Sequence, residues 1–127
     1  MAYDLSVNVE KNRLYIFLSG NMDEAEIQTH ADHILLNARG LRPGFSVISD
    51  IASFVPVGEA GRLVMQQTMK MVKELGMGHV VRVVTGASLV TANQWQRTSR
   101  QVGYQALEAP SREEAERLLD QLTKSGN

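Results

Sequence analysis

The chain predicts an α/β fold in the order ββαβαβαβα. It reads as a mostly parallel five-stranded sheet whose first strand is antiparallel, with helices mainly on one face. Three observations lead there. Residues 3–9 and 14–18 each alternate apolar and polar side chains, and a short polar turn joins them, which is the pattern of a hairpin. Downstream, short apolar runs alternate with stretches of helical spacing, which implies parallel strands linked by right-handed crossovers. Finally, several strands alternate and Arg82 interrupts the fourth, whereas a sheet covered by helices on both faces has strands that are apolar throughout. The second face, carrying Arg13, Tyr15, Phe17 and Arg82, is therefore expected to be partly open.

Each element has a local justification. Tyr3, Leu5, Val7 and Val9 alternate with Asp4, Ser6 and Asn8, and Leu14, Ile16 and Leu18 form the matching row after the turn. Asp23 followed by Glu26 has capping-box spacing and opens the first helix. Ile27, Ala31, Ile34, Leu35 and Ala38 make its apolar stripe, and Gly40 is expected to close it. The third strand is expected over 45–49, ending at Ser49 and Asp50. The second helix begins between Pro56 and Glu59, because proline is tolerated in a first turn and not deeper. It carries two apolar stripes, one through Ala60, Leu63, Val64, Gln67, Met71 and Leu75, the other through Met65, Met69 and Val72. Residues 79–85 read as the fourth strand, 88–101 as a polar third helix capped by Ser88, and 104–108 as the fifth strand. Ser111 and Glu114 repeat the capping spacing before Ala115, Leu118, Leu119 and Leu122.

Composition narrows the function. The 127 residues read as one domain, 1–127, long enough to bury a core without staples. Thirteen Lys and Arg against 14 Asp and Glu give a net charge of −1, no basis for a nucleic-acid surface. With no cysteine, disulfides and thiolate chemistry drop out together. No apolar run approaches a membrane span and the start lacks signal-peptide build, so a cytoplasmic protein is expected.

The order of elements over nearly the whole chain resembles the STAS-like, or SpoIIAA-like, family. VISDIASF at 47–54 is similar to that family's third strand, which ends in an acidic residue followed by a small polar one. The small stand-alone bacterial members share PGF before that strand (Pro43, Gly44, Phe45) and RVV in the fourth (Arg82, Val83, Val84). They also share a helix with Arg97 and Thr98 that ends at Gly103 and Tyr104. The resemblance implies a non-enzymatic module that binds a regulatory protein partner or a small, often apolar, ligand, without a cofactor. Regulatory members carry a phosphorylatable serine where the helix after the third strand begins. Residues 56–61 here contain no Ser or Thr, so the usual phosphoserine switch is not expected.

The expected ligand or partner edge gathers 21–23, 50–58 and 85–88, the loops after the second, third and fourth strands, with Asp50, Ser53, Phe54, Gly58, Gly86 and Ser88 as its named residues. Asp50 could hold a ligand; the plainer reading is a hydrogen-bond acceptor for loop or helix N–H groups. Gly86, Ala87 and Ser88 could cradle an anion, yet lack both the lysine of a P-loop and the glycine spacing of a dinucleotide site. His30 and His33 have metal-compatible spacing, but no third ligand is in view, so no metal is expected. His79 has no nucleophile to serve. The methionines Met65, Met69, Met71 and Met77 motivate the alternative reading, a carrier of a lipid-like molecule beside the second helix. Tyr15, Phe17 and Arg82 on the open face are the expected homodimer surface.

Overall fold

A computed structural model describes residues 2–56, 58–84 and 106–125. The strands are β1 (Ala2–Asn8), β2 (Arg13–Met22), β3 (Ser46–Pro56), β4 (Val80–Val83) and β5 (Leu107–Ala109). The described helices are α1 (Glu24–Ala38), α2 (Gly58–Glu74) and α3 (Arg112–Ser125). The sheet order is β1-β2-β3-β4-β5, with β1 antiparallel to β2 and every other pairing parallel. The helix expected over 88–101 lies outside the described residues, as do 104 and 105.

Register assigns each side chain to a face. Leu14, Ile16, Leu18, Val47 and Val80 point to the side where Ile27, Ile34, Met65 and Val72 of α1 and α2 complete the main core. Ile48, Val81, Val83 and Ala109 point the other way and meet Ala115 and Leu119 of α3. Two described helices thus cover one face and one covers part of the other. Arg82 is buried at 3% exposure and is registered with Ser49, so it shares the α1–α2 face with Val80. This corrects its expected place: Tyr15 and Phe17 lie on the opposite face, so Arg82 cannot join them in one surface. The interruption in the fourth strand marked a buried residue of the other layer, not an open one.

The third strand is also longer than its sequence pattern. It does not end at Ser49 but runs to Pro56, paired along β2 as far as Met22. The register shifts between Phe17 and Ser19, so β3 carries one extra residue there. Such a bulge breaks the alternation by which a strand is recognised. Beyond Asp50 no β4 residue pairs with β3 among the described residues. Among the described residues, 51–56 pair with β2 alone.

The helix ends show which caps are local. Asp23 accepts from the Glu26 N–H at 2.9 Å while the Glu26 carboxylate accepts from the Asp23 N–H, completing the capping box. Ser111 accepts the Glu114 N–H at 3.2 Å. Gly40 is not a left-handed cap; α1 ends through Arg39 in right-handed conformation, and the left-handed glycine is Gly76 after α2 at φ 108°. There a Cβ would come within 2.9 Å of Pro43 Cα, so glycine is required by both conformation and space. On α2 the buried stripe is Gly61, Met65, Thr68, Met69 and Val72. Of the other expected stripe, Leu63 and Met71 are exposed.

Candidate functional site

The residues grouped at one edge by sequence separate into two places. The first is a rim. Met22 is registered with Pro56, so α1 and α2 begin side by side at the end of the β2–β3 ribbon. Ser53 and Phe54 lie in the ribbon, opposite Ser19 and Gly20, and Gly58 starts α2 at φ 86°. Asn21, Asp23, Glu24, Gly58, Glu59 and Ala60 are exposed. Asp23, Glu24, Glu26 and Glu59 make the rim acidic, in keeping with the partial positive charge of two helix N-termini. Arg62 reaches back to Glu59 and holds its carboxyl below the usual range, chiefly through the hydrogen bond between them. Gly86 and Ser88, expected at the same edge, lie outside the described residues.

The second place is a cleft on the α3 face, and Asp50 belongs to it. Asp50 is mid-strand, six residues before Pro56, or roughly 20 Å along an extended chain. Its carboxylate accepts from Arg112 Nε at 2.6 Å, and the same guanidinium lies 4.6 Å from the centre of the Phe17 ring. Among the described residues the donor to Asp50 is an arginine of α3, 62 residues away in sequence. Asp4, Ser6, Tyr15, Ile48 and Phe17 complete a small cavity of about 100 Å³.

Beside this cleft, α3 is fastened to β2 by charge. Arg13, 1% exposed, donates to Glu116 at 2.8 Å and to Asp120 at 3.0 Å. Lys11 adds a contact to Asp120 at 3.2 Å. Arg13, followed by Lys11, keeps the Asp120 carboxyl below the usual carboxylate range. Burial, then the hydrogen bond to Glu116 and that group's negative charge, push the Tyr15 phenol up to about 12, against the opposing pull of Arg13. Tyr15 and Phe17 are half-buried, Tyr15 against the α3 cluster and Phe17 beneath the Arg112 guanidinium. Arg112, Glu116 and Asp120 were not singled out from sequence. Their spacing of four along one helix was the available signal, since it sets them on one face.

A third cluster joins β1 to α1. Tyr3 packs against His30 with ring centres 3.8 Å apart and planes tilted by 36°, and its hydroxyl meets His33 Nδ1 at 2.8 Å. Burial and the neighbouring His33 lower the His30 pKa, against a smaller opposing pull from Glu26. No group of three or more His, Cys, Asp or Glu suited to a metal occurs among the described residues.

No family model matches the chain, and no curated protein matches it. Solved structures do. The Bacillus cell fate determinant SpoIIAA in its phosphorylated form aligns at a TM-score of 0.57 and 15% identity, covering 92% of this chain and 99% of that one. The unphosphorylated anti-sigma factor antagonist SpoIIAA aligns at 0.58 and 13% identity, covering 92% and 96%. The fold is SpoIIAA-like. At this identity the likeness concerns the path of the chain, and the expected five-stranded mixed sheet agrees with it. Among the described residues, no helix is long and apolar enough to cross a membrane.

Proposed function

We propose that the protein is a non-enzymatic cytoplasmic regulatory module that binds a protein partner at the rim where α1 and α2 begin. The pairing of Met22 with Pro56 carries this reading, because it brings two helix starts and their exposed acidic residues together. Ser53, Phe54 and Gly58 belong to that rim. Its charge favours a basic patch on the partner, with association that weakens as salt rises. The SpoIIAA-like fold supports a partner-binding role, since one of the similar structures is described as an anti-sigma factor antagonist. Residues 56–61 offer no hydroxyl at the start of α2, so the contact would be governed without a phosphoserine there. Asp50 serves the fold through Arg112 in this reading, and no catalytic group is required.

The alternative carrier reading has less support. Met65 and Met69 are 5% and 7% exposed, and Met65 packs into the main core against the sheet. The pocket expected between α2, the helix around Trp95 and the sheet lies in part outside the described residues.

A photo-crosslinking residue in place of exposed Ala60, with a control at Glu113 on α3, tests the proposal in cell extract. One adduct of defined mass at position 60 is expected, reduced by Glu24→Lys with Glu59→Lys. Equal labelling at both positions, or indifference to charge reversal, refutes it.

A further inference from the structure

We infer that β1 is an assembly edge on which a second copy of this chain pairs antiparallel about a two-fold axis at Leu5. The argument begins with which main-chain groups are free. Ser46 N–H donates to Asn12 carbonyl at 3.0 Å, and Arg13 is registered with Ser46 in the parallel ladder. The even-numbered main-chain groups at the start of β2 therefore face β3, and Arg13, Tyr15 and Phe17 face β1. Their partners Asn8, Ser6 and Asp4 use their N–H and C=O groups on β2. Tyr3, Leu5 and Val7 are left with theirs turned outward, since among the described residues β2 is the one strand beside β1.

This edge lacks the usual protections. It is seven residues long, without proline and with one charge, Asp4. Tyr3 and Val7 are 40% and 37% exposed along it. The opposite edge, β5, is three residues long. An exposed strand with free ladder groups and apolar side chains is a template for another strand.

Self-complementarity selects the occupant and its register. With the axis at Leu5, the outward pairs are Tyr3 with Val7, Leu5 with Leu5, and Val7 with Tyr3, each positioned to exchange main-chain hydrogen bonds. On the other face Asp4 meets Ser6, whose hydroxyl can donate to the carboxylate. An axis at Asp4 would set two carboxylates directly opposite, which is destabilising. An axis at Ser6 would need the carbonyl of Val9, which already accepts from Asn12 N–H at 3.1 Å. A groove of about 280 Å³ lined by Tyr3, Asp4, Leu5, His33 and Asn37 lies beside this edge. The inference is independent of the rim, so the failure of one reading leaves the other standing.

The test is sedimentation of the full chain at submillimolar concentration, with single-cysteine variants in a protein that has none. A dimer of the 14.1 kDa chain is expected. Leu5→Cys should crosslink on oxidation, because directly opposed residues of a hydrogen-bonded pair lie about 5.5 Å apart, within disulfide reach. Ser6→Cys should not, its two copies being about 8 Å apart in this register. Val7→Pro removes an outward N–H without touching the β2 ladder and should weaken association about tenfold or more while circular dichroism stays native. Monomeric wild-type protein overturns the inference. So does a dimer that crosslinks through Ser6→Cys instead of Leu5→Cys, or one that a folded Val7→Pro variant leaves unchanged.

Discussion

Replacing Arg13 by methionine should loosen α3 from the sheet without emptying the space its stem occupies. Arg13 is 1% exposed and donates to two carboxylates of α3, Glu116 at 2.8 Å and Asp120 at 3.0 Å. A hydrogen bond to a charged group contributes roughly 1.5–3 kcal/mol net. The low end applies, because Glu116 and Asp120 remain 29% and 50% exposed and Lys11 stays nearby to compensate them. Arg13→Met should therefore cost about 2–3 kcal/mol, or roughly 6–12 °C in Tm for a domain of this size. Urea unfolding at neutral pH measures it, with Glu116→Gln as the second arm of a double-mutant cycle. Because both partners share one network, the double variant should lose less than the sum of the singles by about 1 kcal/mol. The acid limb gives a separate reading. Asp120 has a depressed carboxyl pKa in the folded state, so its contribution is present above the unfolded value near 4 and is lost as pH falls through the folded value. Arg13→Met should flatten that limb. A loss below about 0.5 kcal/mol, with an unchanged acid limb, would show that solvent screens the contacts and that apolar packing alone holds α3.

Other outcomes follow from single positions. Gly76→Ala should cost about 2 kcal/mol or more by denaturant titration, since it combines a left-handed φ with a Cβ at 2.9 Å from Pro43 Cα. Gly61→Ala should stay within about 1 kcal/mol of wild type. Its new Cβ meets the mobile end of Ile27, Cδ1, at 2.7 Å, and improved helix propensity offsets the adjustment. NMR titration should place His30 below its usual value, with stability present above about pH 6.5 and falling as pH drops through the folded value. His30 titrating at or above that point would contradict its burial against Tyr3. Tyr15, raised to about 12, should ionise above the ordinary tyrosine value in an ultraviolet titration, and its share of stability should be lost between about pH 10 and 12. Glu116→Gln should bring it back toward the ordinary tyrosine value, and an unmoved titration would remove Glu116 as a cause.

The helix starts were legible because their chemistry is local. Asp23 with Glu26 and Ser111 with Glu114 each satisfy backbone donors within one turn, so no distant partner is needed. The β1–β2 hairpin was legible for the same reason. The end of the third strand was not. One extra residue opposite the Phe17–Ser19 segment upsets the two-residue period, and pairing with β2 carries the strand on regardless. The site suffered from the same cause, since moving the strand's end to Pro56 separated Asp50 from the rim and gave it to Arg112.

The order of elements, the antiparallel start and the amphipathic helices follow from side-chain periods and short-range capping, which the linear chain contains in full. Which layer buries Arg82, how far β3 extends and which cation meets Asp50 depend on registers between segments tens of residues apart. A one-residue change of register exchanges the faces of a strand, and the packing of α1, α2 and α3 around the sheet fixes that choice.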